Sequence, residues 1–210
     1  MNLFRLDSSI RTEGSVSRAV ADTVESAWRA ERPEATVVRR DLAAEPLSSN
    51  AWLSIVAGAA GPADKAAGAA LAASLVDELM AAQAYLFAAP LYNFGVPQHV
   101  KAWIDLLIAD PRMGPGQQPL VGRPAVLVTV RGGGYGPGAP REGWDHGAPY
   151  LRRIFADVFG LDLRVVEAEL TLAAVNPAMA ALRDKAAESL SQAHSVAQEY
   201  GKHLASGAAV

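Results

Sequence analysis

The sequence predicts an open α/β/α sandwich on a five-stranded parallel sheet of order 2-1-3-4-5. Three observations carry this. Residues 84–89 and 123–134 are short, nearly continuous apolar runs of the kind buried on both faces of a sheet. Amphipathic helical stretches alternate with the apolar runs, as in parallel sheets covered on both sides. No repeat or linker divides the 210 residues, a length that suits one domain with a sizeable core, so a single domain over 1–210 is expected.

Residues 2–6 start a strand that breaks at DSSIRTEGS. A helix follows from Ser15, with Val16, Val20, Val24 and Trp28 four apart and Ala19 and Ala27 beside them, until Pro33 closes it. Residues 35–42 read as the second strand, and 48–56 and 63–82 as helices, with the Ala- and Gly-rich start of 57–73 as the loop entering the latter. The third strand, 84–89, leads to a helix over 97–109, where Pro97 near the first turn costs little. The fourth strand, 123–134, ends in glycines. A helix over 144–159, a fifth strand over 161–170 and a long helix over 177–205 complete the order. The last presents Leu182, Ala186, Leu190, Ala193, Ala197 and Leu204 on one side.

Composition removes several function classes. Half the residues are apolar, which argues against disorder. Nineteen Lys and Arg against 22 Asp and Glu, a net charge of −3 without long runs of either sign, disfavour a nucleic-acid or anionic-membrane surface. Without cysteine there is no disulfide framework, thiolate nucleophile or Cys-ligated zinc. His99, His146, His194 and His203 show no metal-ligand spacing, so no metal is expected. Arg5 and Asp7 stand where a signal peptide needs an apolar stretch, and no membrane-spanning run is visible, so a cytoplasmic location is expected.

In this topology ligands sit beyond the carboxyl ends of the strands, at the switch in strand order. The loops after strands one, three and four are also the three most unusual stretches of the chain. The first carries Ser8, Ser9, Thr12, Gly14, Ser15 and Ser17 and opens a helix, which suits an anion. No G-x-x-x-x-G-K-[ST] occurs, so a monophosphate fits better than a nucleoside triphosphate, and a plain N-cap is the other role open to Ser15. PLYNFGVP offers the amides of Tyr92, Asn93 and Phe94 with an aromatic wall, whose alternative is packing on the sheet edge. Gly132, Gly133 and Gly134 let the main chain approach a flat ring, or form a flexible turn; no G-x-G-x-x-G register is present. Taken together, a phosphate site, an aromatic shelf and a glycine shelf at one rim describe a pocket for flavin mononucleotide (FMN).

APLYNFGVPQHVKAWID resembles the P-M-Y-N-F-x-x-P-x-x-L-K-x-W-I-D signature of the FMN-dependent NADH:azoreductases and quinone reductases, enzymes of flavodoxin-like fold. TVRGGGYGPG is similar to their S-R-G-G-x-Y turn, SVS to their S-x-S, and DHGAPYLRRIFADVFGL to D-x-x-x-P-Y-L-x-x-x-x-x-F-x-G. The resemblance implies that Ser9, Ser15, Val16 and Ser17 hold the phosphate of a tight, non-covalent FMN. Pro90, Leu91, Tyr92, Asn93 and Phe94 would line one side of the ring. Val130, Arg131, Gly132 and Gly133 would meet its pyrimidine side, with Tyr135 close by. It also implies a homodimer with sites at the interface. Two departures are visible. Residues 108–123 are shorter than the family's segment, lack its aromatic residue over the flavin, and so should leave a more open pocket. Leu91 replaces Met and Val130 replaces Ser.

The expected activity is two-electron, ping-pong reduction of quinones and azo compounds by NADH or NADPH through the flavin, with no obligate side-chain acid or base. Tyr135, His146 and Tyr150 are the nearest candidates for that duty, His146 having the alternative role of a helix-start residue, and Arg131 is expected to position rather than react. The alternatives are a reductase of a dedicated biosynthetic or detoxification substrate and an electron carrier of flavodoxin type. The carrier is disfavoured by the mild charge. A hydrolase is disfavoured by the lack of G-x-S-x-G.

Overall fold

Five strands, β1 (Leu3–Asp7), β2 (Val37–Asp41), β3 (Ala84–Pro90), β4 (Pro124–Val130) and β5 (Asp162–Ala168), pair in parallel in the order β2-β1-β3-β4-β5, as the element pattern predicts. The structure is a computed structural model that describes residues 1–57 and 60–206. Every residue of β1, β3 and β4 is buried, while β2 and β5 form the partly exposed edges.

Pleating sends alternate side chains to two cores. On one face Phe4, Leu6, Tyr85, Phe87 and Leu127 pack under α3 (Pro62–Met80) and α4 (Gln98–Ala109). An aromatic stack of Phe87 on Phe155, with centroids 4.1 Å apart, anchors the turn after β4 to this face. On the other face Leu3, Leu86, Val126 and Val128 pack under α1 (Val16–Glu31) and α6 (Arg183–Ser206). The shorter α2 (Ser49–Val56) lies beside α3.

Several boundaries differ from expectation, each for a tertiary reason. The α1 stripe is Val20, Ala21, Val24 and Trp28, whereas Ala19 is exposed. β4 stops at Val130 because Arg131 to Gly133 bond instead to the chain after β5, through pairs such as Leu172 N–H to Gly132 carbonyl at 3.2 Å. The helix expected from 144 begins at Ala148 as α5 (Ala148–Arg152) and widens into a π-turn over Arg153–Val158, while the final helix is preceded by a 3₁₀ segment, Pro177–Leu182. The loop expected at the start of 57–73 falls partly on 58–59, outside the described residues. Among the described residues no helix is long and apolar enough to cross a membrane.

Residues 110–123 run along the amino-terminal rim of the sheet. Met113 and Leu120 are fully buried, Leu120 N–H donates to the Phe159 carbonyl at 3.1 Å, and the Arg123 guanidinium donates to the Met80 and Ala82 carbonyls. The shortened segment thus lies along the amino-terminal rim, seated there by Met113 and Leu120, and not over the carboxyl rim.

Two contacts give tests. α6 crosses α1 where Gly201 meets Val24 and Ala27, and a Cβ on Gly201 would stand 2.7 Å from that of Ala27 and collide with the Val24 carbonyl. Gly201→Ala should therefore lower stability by about 1–3 kcal/mol, read as an earlier urea midpoint at constant slope. On the same face the buried Arg5 guanidinium binds Asp7 at 3.0 Å, Asp22 at 2.7 Å and Glu25 at 2.9 Å. Burial alone would raise the Glu25 pKa, but hydrogen bonds from Arg29, Arg5 and Arg39 outweigh it and hold the carboxyl below its usual value. The contribution of a depressed carboxyl is complete above the ordinary glutamate value of about 4.3 and disappears as pH falls through the lower folded value. Stability should hold steady down to about pH 5 and drop below about pH 4, with a shallower drop in Glu25→Gln.

Candidate active site

The strand order reverses between β1 and β3, and the site forms at their carboxyl ends. Leaving β1, the chain turns through Gly14 at φ 63°, a left-handed conformation open to glycine. Ser15 then caps α1, its Oγ accepting from Arg18 N–H at 3.4 Å. The Ser15 and Ser17 hydroxyls lie 3.3 Å apart, and Ser9 Oγ accepts from Arg11 N–H at 3.2 Å. First-turn amides of α1 have no carbonyl a turn earlier to bond, so the helix start adds donors. Ser8 turns inward, its hydroxyl donating to the Ala88 carbonyl at 2.8 Å.

Arg18 shapes this loop from behind. It donates to the Ser9 carbonyl at 2.8 Å and the Arg11 carbonyl at 3.2 Å, and grips Asp41 with two bonds of 2.7 and 3.0 Å. Burial would raise the Asp41 carboxyl, yet Arg18 and the Ala44 and Ala43 amides bring it below the ordinary aspartate value.

Beyond β3, Tyr92 and Gly95 bond to each other across a two-residue turn. Asn93 at φ 48° and Phe94 at φ 67° are both left-handed, the signature of a type I′ hairpin. A phenylalanine in this region is strained and persists only where its surroundings hold it. Here Phe94 is held three ways. Its carbonyl accepts from His146 N–H at 2.9 Å. Its ring meets Trp144 edge-on at 5.5 Å and Tyr135 at 6.5 Å, and Arg141 lies 5.8 Å over it. The Asn93 and Phe94 amides have no acceptor among the described residues. The hairpin is tied to the first loop by the Tyr92 hydroxyl, which accepts from Ile10 N–H at 3.1 Å.

After β4, Arg131 is buried and fully engaged, with Asp145 at 2.6 Å, Glu167 at 3.1 Å and Glu169 at 3.0 Å. Burial would lower its pKa, but the charge of Glu167 and the bond to Asp145 raise it. Asp145 also caps α5, accepting from Gly147 and Ala148 N–H at 2.9 Å each. Arg131 therefore ties the end of β4 to β5 and to the start of α5, and its charge is answered by three carboxylates.

One cavity of about 380 Å³ joins these loops. It collects Ser9, Ser15, Val16 and Ser17 from the first loop, Pro90, Leu91 and Tyr92 from the second, and Val130 and Gly132 from the third. Asn93 and Phe94 stand at the hairpin tip beside it. Arg131, Gly133, Tyr135 and His146 do not line it, and Tyr150 lies on α5 beyond them. The glycines are less open than their sequence suggests: a Cβ on Gly132 would stand 2.7 Å from Leu172, and one on Gly133 2.8 Å from the Arg141 guanidinium. Sequence reasoning missed Arg11 and the wall formed by Thr171, Leu172, Ala174 and Val175. Arg11 sits in the loop already singled out, so its charge was the available signal; TLAAV carried none. No Asp or Glu lines this cavity and Arg11 is its one charged residue, so the donor set suits a phosphate.

The family model for the flavodoxin-like fold matches residues 1–193. A protein of Kineococcus radiotolerans named FMN-dependent NADH:quinone oxidoreductase is 42% identical over 97% of this chain and 99% of its own. One of the same name from Frankia casuarinae is 37% identical over 94% and 97%. Among solved structures, an azoreductase from Bacillus anthracis superposes with a TM-score of 0.77 at 21% identity, covering 97% of this chain and 99% of that one. An FMN-bound NADH-azoreductase of that species superposes at 0.75 with 17% identity, covering 97% and 99%. These structures share the fold.

The Arg131 clasp is testable. Arg131→Met leaves three carboxylates facing one another and should cost roughly 3 kcal/mol, the low end for breaking a buried pair because Glu167 is partly open to solvent. Urea titration reads it. Arg131→Lys should recover little, since an ammonium cannot reproduce the three-way fork.

Proposed function

The chain belongs to the family of the FMN-dependent NADH:quinone oxidoreductases within the flavodoxin-like fold, and from that premise we propose that it binds FMN in the cavity at the β1/β3 switch and reduces quinones with NADH, azo compounds being further acceptors. The observation that carries this is the cavity itself, in which three serine hydroxyls and Arg11 converge at the start of α1 without an opposing carboxylate. The shared name of the curated relatives supports quinone reduction over a dedicated substrate or an electron carrier.

Ser9, Ser15 and Ser17 would donate to the phosphate, joined by the first amides of α1 and by Arg11. Leu91 and Tyr92 would flank the ring, the Asn93 and Phe94 amides would donate toward its polar edge, and the backbone of Val130 and Gly132 would face its pyrimidine side. Held there, FMN would supply the hydride-accepting and two-electron-donating chemistry between NADH and the acceptor. The protein's part is to hold, orient and polarise. Leu172 and Val175 bound the cavity and limit water at that wall. Tyr135 and His146 remain the side chains closest to proton-transfer duty, outside the cavity wall, and solvent serves otherwise.

Three readings accompany this one. The chain acts as one FMN-binding domain over 1–210, in the cytoplasm, and as a homodimer with sites at the interface. Dimerisation is supported by apolar surface around the cavity mouth: Phe94 is 38% exposed, Trp144 53% and Val175 68%.

Purified without added cofactor, the protein should be yellow, release FMN on denaturation, and oxidise NADH only with a quinone, giving parallel double-reciprocal lines. A colourless protein that takes up no FMN would overturn the reading. Arg11→Ala should weaken FMN binding about tenfold or more, the loss expected for one charge-assisted contact, with the urea midpoint of the FMN-free protein unchanged.

A further inference from the structure

A second cavity, of about 550 Å³, lies behind the glycine loop. It lies on the other side of the bonded segments 131–133 and 170–172 from the first: Gly133 and Leu170 line it while Gly132, Thr171 and Leu172 line the other, and Arg141 reaches the Phe94 ring at the hairpin tip beside the first. Leu170, Met179 and Leu182 make its floor apolar.

Two cations face this space, Arg141 from the loop and Lys185 from the first turn of α6. Neither forms an ion pair among the described residues. The carboxylates nearby are engaged elsewhere. Glu169, which lines the same cavity, is taken by Arg131 at 3.0 Å, and Glu142 accepts from Gly138 N–H at 2.8 Å. The Arg141 guanidinium is also placed rather than loose. It lies between the Phe94 ring, at 5.8 Å, and Gly133, where a Cβ would stand 2.8 Å from it. Glycine at 133 thus leaves the room the guanidinium uses.

A guanidinium and an ammonium without ion-pair partners among the described residues, over an apolar floor and next to the proposed ring-binding cleft, match a ligand with a flat ring at one end and an anion at the other. We propose that this cavity is an anion subsite of the active site, where Arg141 and Lys185 hold the negative group of a redox partner while its ring reaches the flavin cleft. The diphosphate of NADH and an acidic substituent on an aromatic acceptor share this chemistry. The inference rests on the FMN reading above.

The test uses FMN-loaded wild type and the double variant Arg141→Ala/Lys185→Ala. Donors are NADH and the uncharged 1-benzyl-1,4-dihydronicotinamide; acceptors are 1,4-benzoquinone and 1,2-naphthoquinone-4-sulfonate. If NADH uses the subsite, the kcat/KM ratio of NADH to the uncharged donor falls about tenfold in the variant. If the acceptor uses it, the sulfonate-to-benzoquinone ratio falls by that amount. Binding of the sulfonate, or of ADP as a diphosphate probe, to the oxidised holoenzyme by calorimetry should weaken in parallel, with Arg141→Lys losing less than Arg141→Ala. Both ratios staying within twofold of wild type, with FMN bound, would overturn the subsite alone. Failure of wild type to bind FMN would instead remove the reading beneath it.

Discussion

Burial of three adjacent strands on both faces governs this molecule. With β1, β3 and β4 closed off above and below, a polar side chain on them must find an internal partner or be excluded. Arg5 and Asp7 are the exception that shows the rule. Both sit in β1, both are buried, and they satisfy each other with help from Asp22 and Glu25 of α1. That polar seam continues through Asp7 and Asp41 to Arg18, which reaches over the sheet end and holds the Ser9 and Arg11 carbonyls. The ion network beneath the sheet end and the serine-rich first loop above it are therefore one structure.

Everything chemical is displaced to the carboxyl rim, where the backbone leaves the ladder and its amides come free. The rim is firm because its irregular parts are braced against each other. Phe94, one of the two left-handed residues of the hairpin, is held by His146 N–H just before α5 and from the side by Trp144. The start of α5 is in turn fixed by Asp145, which answers to Arg131 just after β4. Strain at Phe94 is thus maintained by four residues of the stretch between β4 and α5, Tyr135, Arg141, Trp144 and His146, and the hairpin presents its amides without waiting for a ligand to organise them.

Much of this was legible from residue patterns. Apolar runs located the strands, four-residue spacing located the helices, and strand order pointed to three loops that one cavity joins. Ten of the residues named from those loops line the cavity: Ser9, Gly14, Ser15, Val16, Ser17, Pro90, Leu91, Tyr92, Val130 and Gly132. What could not be read depends on partners distant in sequence. RGGG looked like a strand end because its apolar lead-in is continuous, but Arg131 to Gly133 bond to residues 168–172. TLAAV looked featureless and forms a wall. Residues 110–123 resembled a trimmed cover, and only the bonds of Leu120 to Phe159 and of Arg123 to Met80 and Ala82 place them at the amino-terminal rim. The three-carboxylate grip on Arg131 joins positions up to 38 apart, beyond the reach of any local pattern.

The Tyr92 hydroxyl bonded to Ile10, a contact spanning 82 positions, bears on how the protein is made. The first loop emerges early from the ribosome but lacks its bracing until the hairpin has formed, and its cleft lacks a wall until residues 171–175 follow. A nascent chain therefore offers flavin nothing complete until residues 171–175 have been made. Cofactor loading has to follow that point, so flavin scarcity would strand folded apoprotein rather than arrest half-made chains.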